Sequence, residues 1–193
     1  MGYALFRLFF SGLFFLIVFL LAARTKKISA LLLIISIALL IVIWAFPIEN
    51  LFMIFDSPEA VFNYAGKGEI VDLVEGESSA AMMTKANNKY SVFFTSKYKN
   101  GYKLISSSFL LKKNEKQWNS VHLCIYNVPE TDDFYLRIWG MTEKEIDFSD
   151  SNNSIFLPVY EDFSDKKIVN CLLEIDYDNG YYCSLNGFII EFD

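Results

Sequence analysis

Residues 21–29 read LAARTKKIS, and these nine residues decide how the chain is laid out. They set Arg24, Lys26 and Lys27 between two uncharged stretches, Leu8 to Ala23 and Ile28 to Phe46. With Tyr3 to Arg7 included, the first stretch matches the second in spanning length, since about 20 residues at about 1.5 Å each cross a hydrocarbon layer of roughly 30 Å. Arg7 lies near one end, where a long side chain can snorkel to the interface, and Pro47 is a natural stop for the second stretch. A cleaved leader carries its basic residues ahead of a shorter apolar run. Here they mostly follow it. The pattern predicts a two-helix transmembrane hairpin over residues 1–47, with helices at about 3–23 and 28–46 and the loop 24–27 between them.

Short loops rich in Lys and Arg stay in the cytoplasm. The loop 24–27 is therefore expected inside, with both termini and residues 48–193 on the extracytoplasmic side of a cell membrane. Beyond Phe46 the first charges are Glu49, Asp56 and Glu59, with no base before Lys67. Tyr3 and Trp44 then fall at the same outer interface, where amphipathic rings concentrate. Ser11, Gly12, Ser29, Ala30, Ser36 and Ala38 are the small residues that would let helices pack closely, within the hairpin or against a membrane partner.

After the hairpin, Ile48, Leu51, Phe52 and Phe55 have helical spacing. The segment 48–56 is read as the top of the second helix or a plug into the following domain, with a surface-lying amphipathic turn as the other reading. Ser57-Pro58-Glu59 is a helix start, with a capping hydroxyl, a proline at the first position and an acid at the positive end of the dipole. Gly66 ends that helix after about two turns.

From Gly68 onward the sequence reads as short strands rich in β-branched and aromatic residues, bounded by turn residues. They cover 69–75, 79–85, 89–96, 102–111, 120–128, 133–140, 154–160, 169–177 and 181–192. The expected fold is thus a membrane hairpin followed by a mainly-β domain, an antiparallel sandwich or curved meander, with one short helix. Pro158 is expected at a sheet edge. Alternation puts Val121, Leu123, Ile125, Phe134, Leu136 and Ile138 on one face of a strand pair. His122, Cys124, Tyr126, Tyr135, Arg137 and Trp139 take the other, which is expected to pack on a second sheet.

Three cysteines allow at most one internal disulfide. If 178–180 closes a hairpin, Cys171, Leu173, Ile175, Tyr177, Tyr181, Cys183, Leu185 and Ile189 share an apolar face, and Cys171 sits too far along the strand from Cys183 to bond. Buried free thiols are the expectation.

Reaction chemistry is sparse. His122 is the single histidine; with Cys124 it supplies two ligand types on one strand face, short of the four a structural zinc site uses. Asp150, Asn152, Ser154 and Glu161 match positions 1, 3, 5 and 12 of a calcium loop, yet Ile155 stands where glycine is required. No cofactor or metal is expected.

Charge is more informative. Residues 85–116 hold eight lysines against Glu115 alone, whereas residues 117–193 hold four bases against fifteen acids. An acidic domain is a poor nucleic-acid binder, but Lys97, Lys99, Lys103, Lys112 and Lys113 could face anionic lipid or wall polymer. The plainer reading is that these lysines guard strand edges or meet the acidic half internally. The sequence therefore predicts a membrane-anchored extracytoplasmic binding or interaction module, with the bilayer and a membrane or envelope protein as partners and a place as accessory subunit of an envelope complex. The alternative is an enzyme with a dispersed site around His122 and Cys124.

Overall fold

The computed structural model describes residues 2–25, 30–105, 111–178 and 180–192. Ile28 and the loop residues Lys26, Lys27 and Ser29 lie outside these, as do residues 106–110 of the predicted strand 102–111 and Asn179 of the predicted turn 178–180.

Two helices open the chain, α1 (Gly2–Thr25) and α2 (Ala30–Ala45). Within α1, Tyr3–Leu21 is long and apolar enough to cross a membrane, with mean hydropathy 2.5 and little of it buried. The described α2 has 16 residues, about 24 Å at the helical rise, so its length alone does not establish a second span. Ser11 and Ser36 are buried, whereas Gly12 and Ala38 are exposed.

A 3-10 turn, Ile48–Leu51, leads to α3 (Pro58–Ala65). The Ser57 hydroxyl accepts from the Ala60 amide at 3.2 Å and Pro58 takes the first turn, as the capping pattern predicts. Gly66 ends the helix as expected; its backbone is extended, and a Cβ there would lie 2.1 Å from the Phe62 ring.

Twelve strands follow among the described residues, all paired antiparallel. The first sheet is a meander of β1 (Glu69–Glu75), β2 (Ser79–Ala86), β3 (Lys89–Tyr98) and β4 (Gly101–Leu104). The second has the order β5-β6-β7-β10-β9, from β5 (Leu111–Trp118), β6 (Val121–Asn127), β7 (Phe134–Thr142), β9 (Val159–Phe163) and β10 (Lys166–Ile175). The third joins β12 (Phe188–Glu191), β11 (Tyr182–Leu185) and β8 (Phe148–Asp150). Five two-residue hairpin turns begin with a positive φ, at Asn87, Lys99, Asn119, Ser164 and Asn186. That backbone matches the right-handed twist of the strands it joins.

The sheets stack in three layers with the five-stranded sheet in the middle. Its one face, carrying Tyr135 and Leu172, packs on Ala81, Met83 and Phe94 of the first sheet, with Tyr126 against the same cluster. The other face, carrying Leu123, Ile125, Leu136, Ile138, Cys171 and Leu173, packs on Cys183, Leu185 and Ile190 of the third. The aromatic face of β6 and β7 is thus interlayer packing. Arg137 donates to the Tyr90 carbonyl of the first sheet at 3.0 Å, and Lys85 of β2 pairs with Glu161 of β9 across the same boundary.

One predicted pairing does not form. β10 pairs with β7 and β9, not with β11, and β11 pairs with β12 and β8. Cys171, Leu173, Ile175, Tyr181, Cys183 and Leu185 do share one core, but from facing sheets. Residues 181–192 are two strands joined at Asn186-Gly187, where φ is 52° and 81°. That turn shifts the alternation by one, exposing Ile189 and burying Ile190. All three cysteines are free and buried.

Candidate site at the helix–sheet junction

Arg7 is paired and buried. It is 2% exposed and Glu49 is 0% exposed. The Arg7 Nε donates to Glu49 Oε1 at 2.9 Å and one terminal nitrogen donates to Glu49 Oε2 at 3.2 Å. The guanidinium also donates to the Trp44 carbonyl at 2.6 Å and the Phe46 carbonyl at 2.8 Å, the acceptors a helix leaves unmet at its C-terminus. The Tyr3 ring lies 4.2 Å below it, and Tyr3 meets Tyr64 of α3 edge-on at 6.0 Å. One side chain therefore joins α1, the end of α2 and the turn that follows. The bonds cross residue 47, where sequence divides anchor from domain.

The next residues fasten this junction to the first sheet. Asn50 donates to the Leu104 carbonyl at 2.8 Å and accepts the Leu104 amide at 3.0 Å, standing in for a neighbouring strand. Phe55 and Tyr102 exchange backbone bonds at 2.9 and 2.7 Å. Gly101 permits this approach, because a Cβ there would lie 2.5 Å from the Phe55 carbonyl oxygen. The Asn100-Gly101 pair reads in sequence as the turn itself, but the turn is Lys99-Asn100 and the glycine is the contact point. Segment 48–56 is thus an edge partner of β4, in keeping with the plug reading.

The β3–β4 hairpin held here carries Lys97, Lys99 and Lys103. Lys103 Nζ sits 3.4 Å from the centre of the Tyr98 ring and Lys99 Nζ 5.3 Å. Lys97 donates to the Gly76 carbonyl at 2.7 Å, with Glu75 4.0 Å away. Tyr102 donates to Glu75 at 2.7 Å, and burial with that acidic partner pushes its hydroxyl up to about 12. A cleft of about 540 Å³ opens beside the hairpin, lined by Pro47, Asn50, Lys97, Tyr98, Lys103 and Glu130 among others. Lys97 and Lys103 thus line one cleft with Pro47 and Asn50, and Lys99 sits on the same hairpin beside Tyr98. The other two have different surroundings on edge strand β5: Lys112 pairs with Glu115, and Lys113, bulged out of register, lies about 6 Å from the Phe134 and Tyr177 rings. Arg7, Glu49 and Asn50 carried no distinct sequence signal as a group; a lone arginine in an apolar helix and the first acid after it were the clue.

The remaining candidates have structural partners. His122 stacks on Trp139 at 5.3 Å. Cys124 is fully buried, and burial pushes its thiol up, away from the thiolate a nucleophile uses. In the calcium-like loop both Asp150 oxygens are taken by protein donors, the amides of Asn152 and Ser154 and the hydroxyls of Ser154 and Tyr181, at 2.7–3.1 Å. Comparison with protein-family models, curated proteins and solved structures returns no match.

Proposed function

We propose that this chain is a membrane-anchored, non-enzymatic binding module. α1 and α2 form a transmembrane hairpin with the basic loop 24–27 in the cytoplasm, and the β layers stand on the extracytoplasmic side. Lys97, Lys99 and Lys103 engage anionic groups at the membrane surface, carried on lipid headgroups or on an envelope polymer. A membrane or envelope protein partner follows from the same placement, as for an accessory subunit.

The observation that carries this reading is the fastening of the lysine-bearing hairpin to the residues that leave the helices, through Asn50–Leu104 and Phe55–Tyr102. Ammonium groups within a Debye length of an anionic surface are attracted to it, and salt screens the effect. The hairpin reading of α2 draws support from Tyr3 and Trp44, which meet around Arg7 at one end of both helices.

The test uses the full chain in zwitterionic proteoliposomes, floated with a labelled polyol-phosphate polymer. Capture that falls with salt and is lost in K97Q/K99Q/K103Q, but kept in K112Q/K113Q, is expected. Repeating the flotation with phosphatidylglycerol in the bilayer separates the two sources, since local headgroups compete only if they occupy the same lysines. Capture indifferent to the triple variant would remove the reading.

A further inference from the structure

Leu51, Phe52 and Ile54 are 79%, 64% and 50% exposed, a dense run of apolar surface at the junction between helix and sheet. We propose that this strip is immersed in the bilayer that α1 crosses, so that the β layers lie against the membrane on the β4 edge instead of standing away on a stalk. The inference rests on the reading of α1 as a spanning helix.

Orientation is the first argument. The inward side of the segment is committed, with Asn50 on Leu104, Phe55 on Tyr102 and Glu49 on Arg7. The three apolar side chains are therefore held outward by bonds on either side of them.

Continuity is the second. The Phe52 ring lies 6.3 Å from Phe6 and 5.6 Å from Phe10, and Phe10 is one helical turn further into the apolar run of α1. The strip thus extends the surface of the spanning helix sideways, and Trp44 and Phe46, at the C-terminal end of α2 and just beyond it, are exposed as well. A lipid surface is the solvent that such a continuous apolar face fits.

The rim is the third. Gly101, at the end of the Tyr98–Asn100 hairpin tip, meets Ile54 and Phe55, and the tip carries an exposed tyrosine beside Lys99 and Lys103. Tyrosines and lysines are the side chains that sit at headgroup depth next to an immersed apolar element.

The test reads depth directly. Nitroxides are attached to L51C, F52C and I54C in the full chain in liposomes, with I189C on the third sheet and L13C within α1 as references; the native thiols are buried. Labels at 51, 52 and 54 are expected to collide with oxygen as L13C does and to be shielded severalfold from a water-soluble nickel chelate relative to I189C. Chelate access equal to I189C while L13C stays shielded overturns the immersion and leaves the anchor standing. Chelate access at L13C as well overturns the spanning reading and this inference together. Close label-to-label distances between molecules at 51 and 54 show a second copy covering the strip, which also overturns it.

Discussion

Arg7 and Glu49 meet at 2.9 Å with both side chains buried, 42 positions apart in the chain. A buried pair gives back in attraction about what its desolvation costs, so it fixes geometry more than it adds stability. Breaking it is another matter. R7A or E49A leaves one charge uncompensated and is expected to lower stability by about 3–5 kcal/mol, read by thermal unfolding in detergent. The swap R7E/E49R should not rescue, because a carboxylate at position 7 would face the Trp44 and Phe46 carbonyls that now accept from the guanidinium. Recovery in the swap would show that charge alone matters and the carbonyl contacts do not.

Tyr64 stands beside that pair with its hydroxyl buried and, among the described residues, without a hydrogen-bond partner. Y64F removes a desolvated donor while keeping the ring contacts to Tyr3 and Phe55. It is expected to be neutral or to stabilise by up to about 1 kcal/mol, measured in the same unfolding assay. A loss of that size instead would mean the hydroxyl has a partner.

Asp150 ties together β8, its following loop and Tyr181, just before β11, by accepting from four donors. D150N keeps the shape but loses charge-assisted acceptance, and should cost about 1.5–3 kcal/mol. Millimolar calcium should leave the melting temperature of the parent protein unchanged, since its carboxylate oxygens are already taken. A calcium-dependent rise abolished by D150N would restore the metal reading that the spacing of acids suggested.

Legibility tracked how locally each feature is encoded. The strand 69–75 coincides with β1, and the Ser57-Pro58-Glu59 start with α3, because alternation and capping are properties of neighbouring residues. β5, LKKNEKQW, went unread: as an edge strand it carries lysines and a bulge instead of a clean alternation. The three-residue β8 is too short to show a period. The grouping of Cys171 with Cys183 was right about the core and wrong about the sheet, because a shared apolar face does not say whether two strands lie side by side or across a layer. The Asn186-Gly187 turn is a readable signal set within an apolar run. At the junction, the Arg7–Glu49 contact depends on a fold-back that no local pattern records.

Cys171 and Cys183 face each other's sheets inside the core, and burial pushes both thiols up to about 12. At pH 8 only about one in ten thousand of either is thiolate. The native protein should therefore be inert to a disulfide reagent at that pH, and all three cysteines should react together once the layers separate in denaturant. Rapid reaction of Cys171 or Cys183 under native conditions would mean that the third sheet opens locally well below global unfolding.

Glu174 lies where the β1–β2 turn meets β10; its side chain is exposed overall, yet partial desolvation of the carboxyl, then the charge of Asp133, raise its pKa above the usual carboxylate value, with Asp176 adding and the Glu77 amide and Lys97 opposing. A carboxyl whose folded pKa is raised contributes stability below its ordinary pKa and loses it as pH climbs through the shifted one. E174Q keeps an acceptor for the Glu77 amide without ever ionising. Its melting temperature relative to the parent should thus rise between pH 4 and pH 7. The Lys85–Glu161 pair acts with the opposite sign, Glu161 being held low by Lys85, but it is present in both proteins and cancels from the difference. A gap that stays level across that range would mean Glu174 is as well solvated in the fold as in the unfolded chain, despite the close turn at Gly76, where an added Cβ would lie 2.7 Å from Glu174 Oε1.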